Sequence, residues 1–157
     1  MSVSIKLEGM GSVQAVFREL ADEIGDKKAN SKILVPAVRE AMKPVLAKAR
    51  ADAPVDTGGL KRSLQVEARR PNRKDKRSKY IANTDTVISL VTTAPGKKLA
   101  KLGIKSDARA IAQEFGNVRN PAHPYLRTAL ESQSTNVVKN LAEILARRID
   151  KYKKANL

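Results

Sequence analysis

His123 is the one imidazole in the chain, set between Pro121 and Pro124. Its ordinary pKa suits proton transfer near neutrality, so any acid–base chemistry would centre on it, helped by Asp56, Glu114 and nearby Ser or Thr hydroxyls. Hydrolysis by such a set needs a nucleophile elbow, a second imidazole or a closely paired carboxylate motif, and none is present. No phosphate-binding loop or dinucleotide fingerprint occurs either, and Gly58–Gly59 alone marks a turn. The absence of Cys excludes thiolate zinc sites, iron–sulfur clusters, disulfide scaffolds and cysteine nucleophiles. A single His excludes multi-histidine metal sites. The sequence therefore reads as a non-enzyme, with no catalytic, metal or cofactor-binding residues and no cofactor.

The remaining chemistry is charge. Lys and Arg number 31 against 16 Asp and Glu, a net of +15. Residues 1–60 carry +1, residues 61–110 carry +10 and residues 111–157 carry +4, so the middle third holds the anomaly. Its centre is RRPNRKDKRSKY (69–80), with seven bases and one acid. Arg69, Arg70, Arg73, Lys74, Lys76, Arg77 and Lys79 are the candidate contacts to DNA phosphates or to an acidic partner, since clustered cations attract both. Base-specific readout lacks support. Aromatics are 3% of the chain (Phe17, Tyr80, Phe115, Tyr125, Tyr152), too few for a stacking platform, and no recognition helix stands out.

The elements that must position these groups follow from periodicity. Val3, Ile5 and Leu7 alternate as a half-buried strand ended by Gly9 and Gly11. Ser12 is expected to cap a helix carrying Val13, Val16, Phe17, Leu20 and Ile24, closed by Gly25. A longer helix, about Asn30 to Ala51, presents Leu34, Val38, Ala41, Val45 and Ala49, with Pro36 in its first turn and a bend at Pro44. Strands are expected at Leu64–Ala68 and Thr86–Thr92, joined by the long basic loop. A second basic loop, APGKKLAKLGIK, follows, and Ala110–Phe115 is expected to return as a short strand. Pro124 reads as a first helical position, opening a long helix through Leu126, Leu130, Val137, Leu141, Ile144 or Leu145, and Arg148. Glu114 is expected to pair with Arg127 or Arg62, and Leu60, Phe115 and Leu126 to lie in the core. The whole reads as a single α+β domain over 1–157. In it, a small mainly antiparallel sheet is packed by two long amphipathic helices and a shorter N-terminal one, with a flexible basic loop at 69–80 and a frayed basic tail at 150–157. No apolar run approaches the ~20 residues of a membrane span, and no secretory signal pattern opens the chain, which is expected to be soluble and cytoplasmic.

Two segments look more constrained than their surroundings. One is APVDTGGLKRS (53–63), a helix-to-strand corner containing Asp56, Thr57, Gly58, Leu60 and Ser63. The other is EFGN (114–117) with PAHPYLRTAL (121–130), containing Glu114, Phe115, Gly116, Pro124, Leu126, Arg127 and Leu130. In this order they resemble the tail-component, or neck, family of long-tailed bacteriophages, whose motifs have the forms APVDTGxLRxS and EFGT followed by P-x-PFLRPAL. Lys61, Asn117, Tyr125 and Thr128 depart from those forms. The resemblance implies a small α+β virion protein of the head–tail junction that helps join the DNA-filled capsid to the tail without catalysis. It further implies a homo-oligomeric ring, six copies by the symmetry of the tail, meeting capsid connector proteins on one side and tail tube or terminator proteins on the other. DNA would pass through the ring without sequence-specific binding, and no membrane would be involved. The residues alone leave open a small basic DNA-binding protein acting free in the cytoplasm.

Overall fold

The computed structural model describes residues 10–55, 58–104 and 109–156. The expected strand at Val3–Leu7, and Asp56 and Thr57, lie outside the described residues. The fold is mixed, about 65% helix with a two-stranded antiparallel sheet, and is α+β. Its contacts group into two compact units, and the chain passes between them more than once.

The first unit comprises residues 1–41, 68–90 and 135–157. Helix α1 (Met10–Ile24) already includes Gly11 and Ser12, so the backbone at Ser12 is helical and not a cap. Gly25 ends α1, its N–H donating to the Ala21 carbonyl at 2.8 Å. The next helical stretch opens earlier than its apolar pattern suggests, with α2 (Asp26–Ala29), a π turn at Asn30–Leu34 and α3 (Val35–Ala41) in succession. Pro36 has no N–H to give to the preceding turn, and the widened π turn sits immediately before it. Leu20, Ile33, Ala37, Leu145 and Ile149 form the core, with Val13, Phe17, Ile24, Leu34, Leu141, Ile144 and Tyr152 packed against it. Burying each large aliphatic there is worth about 1.5–3 kcal/mol. Helix α8 (Leu126–Asn156) supplies the C-terminal half of that core and stays helical through residues 150–156. Glu40 joins α3 to α8 by accepting from Arg148 at 2.7 and 3.2 Å and from Arg147. Those guanidiniums, Arg148 foremost, hold the Glu40 carboxyl below its usual range.

The second unit comprises residues 42–67 and 91–134. Helix α4 (Lys43–Asp52) starts after a break at Met42 and carries Pro44 at its N-terminus, so the expected bend is a helix boundary. Val45 and Ala49 face inward, continuing the i, i+4 series of Ala37 and Ala41 along the sequence. A short α5 (Gly59–Ser63) leads into β1 (Leu64–Arg69), which pairs with β2 (Ile88–Thr93). The Ser63 carbonyl accepts from the Ala94 N–H at 2.7 Å, extending this ladder. Alternate carbonyls of β1 point to the opposite edge. There the Leu64 carbonyl accepts from Arg50 at 2.7 Å within this unit, and the Ala68 carbonyl accepts from Arg39 at 3.2 Å within the first. Arginine side chains thus satisfy an edge that would otherwise invite strand addition. The second basic loop contains helix α6 (Gly96–Lys101), anchored by buried Leu99. Arg109–Phe115 is helix α7 and not the expected strand, in keeping with the helix-forming run Ala-Ile-Ala-Gln-Glu.

Candidate functional site

The residues that the sequence singled out fall into three groups, two in the second unit and one in the first. In the second unit, Gly58 precedes α5 with φ of 72°, and the space where its Cβ would stand is open. Its requirement is the left-handed backbone and not close packing. Ser63 is buried and donates to the Leu60 carbonyl at 2.6 Å, closing that turn, while Leu60 itself is half-buried.

Glu114 is the organising residue of the other motif. Only 4% of it is exposed, and its carboxylate ignores both Arg127 and Arg62 as ion-pair partners. Instead Oε2 accepts from the backbone N–H of Tyr125 and Leu126, each at 2.8 Å, and Oε1 accepts from that of Arg127 at 3.0 Å. The first N–H groups of a helix have no partner within it and carry the positive end of its dipole. A carboxylate delivered from α7 meets both needs at the start of α8. The expected Glu114–Arg127 pairing is thus a contact to the Arg127 backbone. The Tyr125 carbonyl accepts the first helical bond, from Ala129, which makes Tyr125 the cap residue. Pro124 therefore stands one place outside the helix and is not its first residue, and its carbonyl accepts from the Thr128 hydroxyl at 2.9 Å.

This clamp fixes the rotation of α7. With Ala110 and Glu114 turned inward, Ile111 and Phe115, one position on, turn outward and are 70% and 72% exposed. The core placement expected of Phe115 is overturned for that reason. On α8 the buried face is Tyr125 and Ala129, which leaves Leu126 half-buried and Leu130 exposed. Between the helices, Gly116 adopts φ of 73°, and a Cβ there would stand 2.7 Å from the Ala122 nitrogen. Asn117 closes the turn, its side-chain oxygen accepting from the N–H of Arg119 at 2.9 Å and of Asn120 at 2.8 Å. The His123 N–H donates to the Gln113 carbonyl at 2.7 Å and its side chain is exposed.

In the first unit, the basic connection is stitched by its single acid. Asp75 takes a two-pronged contact from Arg69 at 2.5 and 3.1 Å and accepts from the Asn72 N–H at 2.7 Å. The Asn72 side chain accepts in return from the N–H of Lys74 and Asp75. This is a reciprocal capping box at the head of a 3-10 turn, Asp75–Arg77, and its Asn-x-x-Asp spacing is a signal the sequence reading passed over. Arg69 foremost, with the Asn72 N–H, holds the Asp75 carboxyl down to about 2. Of the candidate contact residues Arg69 is thus engaged in holding the loop, whereas Arg70, Arg73, Lys74, Lys76, Arg77 and Lys79 are exposed. Lys79 stands 5.0 Å from the ring centroid of exposed Tyr80.

A protein-family model described as "Bacteriophage HK97-gp10, putative tail-component" matches residues 15–116, nearly two thirds of the chain. The chain belongs to this HK97-gp10 family. The matched stretch takes in the 53–63 corner, the basic connection and Glu114–Gly116, whereas the 121–130 motif lies beyond it. Comparisons with curated proteins and with solved structures find no match. A phage tail component belongs to the virion and meets other virion proteins there. Among the described residues no helix is long and apolar enough to cross a membrane.

Proposed function

We propose that this HK97-gp10 family protein is a non-catalytic component of the head–tail junction, a neck or tail-completion ring that helps join the DNA-filled capsid to the tail. The family match over residues 15–116 carries this reading. It is supported by the Glu114 clamp, which spends the most buried carboxylate of the described residues on holding two helices together. A closed ring needs different patches of one chain to meet head to tail, and six copies would follow the symmetry of the tail. Capsid connector proteins and tail tube or terminator proteins are the neighbours, and DNA passes through without sequence-specific binding. The exposed cations of 70–79 dock on acidic protein surfaces, because a strongly attractive lumen would hold back DNA during ejection.

Mass spectrometry of gradient-purified, DNase-treated particles tests this. A few copies per virion that survive high salt are expected, and presence in DNA-free tails would assign the tail side. Absence from every particle fraction would sink the junction reading. The six exposed cations beside Tyr80 favour one second reading, a basic DNA-binding protein acting free in the cytoplasm. It requires DNA affinity that falls steeply with salt and weakens when Arg73, Lys74, Lys76 and Arg77 are neutralised.

A further inference from the structure

Within residues 68–90 the acids are engaged locally and most of the cations are not. Asp75 is taken up by Arg69 and the Asn72 N–H, and the Asp85 carboxylate accepts from the Ala82 N–H at 2.9 Å. Lys76 gives its ammonium to the Asn83 carbonyl at 3.3 Å. Arg70, Arg73, Lys74, Arg77 and Lys79 stand exposed, and Asp85 is the one exposed acid of the segment.

These cations are held in place. The capping box of Asn72 and Asp75 fixes the 3-10 turn, in which the Arg77 N–H donates to the Lys74 carbonyl at 3.2 Å. Residues three apart in such a turn come out on one side, so Lys74 and Arg77 form a pair of like charges. A partner's carboxylates would relieve their repulsion. Tyr80 follows. Its N–H donates to the Ser78 hydroxyl at 3.3 Å, the Ile81 N–H donates to the Ser78 carbonyl at 3.2 Å, and its ring beside Lys79 is 81% exposed. Tyr and Arg are among the residues that most often anchor a protein interface.

Order of this kind separates two sorts of partner. Attraction to DNA phosphates is non-directional and requires no fixed loop. Docking on a protein gains from one, because a segment ordered beforehand loses less freedom on binding. A second copy is a poor occupant, since each copy carries +15.

We infer that residues 70–80 are a preformed docking site for an acidic segment of a different virion protein, with Tyr80 as anchor and Arg73, Lys74 and Arg77 as the contacts to its carboxylates. Arg69 and Asp75 do not touch the partner; they are positioning residues that hold those contacts in place. The site rests on the junction reading and gives the chemistry of the neighbour.

Opposite charge changes test it. Asp75→Asn makes the chain more positive and Arg69→Met makes it less positive, yet both break the same contact. Purified full-length chains are mixed with DNase-treated tails and emptied heads from a lysate lacking this protein, and separately with a short DNA duplex. Co-sedimentation reads the affinity for particles. Both variants are expected to bind particles about fivefold more weakly than wild type, and Tyr80→Ala about tenfold more weakly. On the duplex the order is expected to follow charge instead, Asp75→Asn tightest and Arg69→Met weakest, with Tyr80→Ala unchanged. Particle affinities that follow net charge, or that Tyr80→Ala leaves unaltered, would overturn the site. Parallel losses on particles and duplex would also overturn it and make DNA the partner. A wild-type chain that binds neither heads nor tails would remove the junction reading and the site with it. If wild type and all three variants bind particles alike, the junction reading stands and the site falls.

Discussion

Glu114 and Asp75 perform the same local task in opposite settings. Each is a carboxylate that accepts backbone N–H at the head of a helical turn, Glu114 from three residues and Asp75 from Asn72 alone. Glu114 reaches 11 to 13 residues along the chain and is buried, so the Tyr125 N–H, buried with it, has no water to turn to if it is removed. Asp75 reaches three to six residues, and its donors are the exposed Asn72 N–H and the half-buried Arg69 guanidinium at the end of β1. The same chemistry thus contributes stability in the first place and local shape in the second. Burial and sequence separation make the difference, because an unsatisfied buried donor carries a desolvation cost that an exposed one avoids.

The largest expected effect tests that asymmetry directly. Glu114→Ala strands the N–H groups of Tyr125, Leu126 and Arg127, and a lost cap plus an unsatisfied buried donor cost together about 2–4 kcal/mol. Thermal unfolding is expected to drop by about 5–12 °C. Glu114→Gln keeps one acceptor oxygen and is expected to recover roughly half of the loss. A fall below about 2 °C in the Ala variant would break the comparison. Next in size is Gly116→Ala, which forces a side chain onto a left-handed backbone and against the Ala122 nitrogen. A loss of about 1–3 kcal/mol is expected in denaturant unfolding. Equal stability would show that the 116–122 turn can shift.

How much of this was legible in the sequence follows from what each signal measures. Strands β1 and β2 and the long helices were readable because alternation and i, i+4 spacing report a buried face directly. A disturbance near Pro44 was readable because Pro44 lacks a donor, but as a bend within one helix and not as the boundary found at Met42. The inward faces of the 114–130 segment are not legible for a specific reason. Hydrophobicity places Phe115 and Leu126 in the core, but a polar residue, Glu114, sets the rotation of α7, and Tyr125 with Ala129 takes the inward face at the start of α8, leaving Leu126 half-buried. No periodicity rule anticipates that a carboxylate will be buried to serve another helix. The Asn72-x-x-Asp75 capping box was in plain view, masked by the seven cations around it.

A middle case sharpens the scale. Glu40 is half-buried and bridges α3 and α8 through Arg147 and Arg148. Glu40→Gln is expected to cost about 0.5–1 kcal/mol, between the two extremes. Its carboxyl is held below the ordinary value of 4.5, Arg148 contributing most. The bridge therefore stabilises fully above pH 4.5 and loses its effect as pH falls through the lowered folded value. Wild-type stability measured against pH should show this acid-side loss, and Glu40→Gln should lack that part of it.

The smallest global effect belongs to Asp75, and here the expected result is local. Asp75→Asn removes the two-pronged contact from Arg69 but leaves every core residue in place, so the thermal midpoint is expected to move by less than about 1 °C. The connection itself should respond. Amide exchange at Asn72–Ser78 is expected to accelerate, and trypsin, which cuts after Lys and Arg, should nick Arg73–Lys79 sooner. Acid should reproduce the variant. The Asp75 carboxyl is lowered from 3.8 to about 2, so the order it imposes is complete above pH 3.8 and fades as pH approaches 2. Wild-type amide exchange in this segment, corrected for its intrinsic pH dependence, should therefore approach that of Asp75→Asn only near pH 2. A large fall in the thermal midpoint of Asp75→Asn would mean that the connection shares in the folding unit and that burial and separation along the sequence do not divide the two carboxylates.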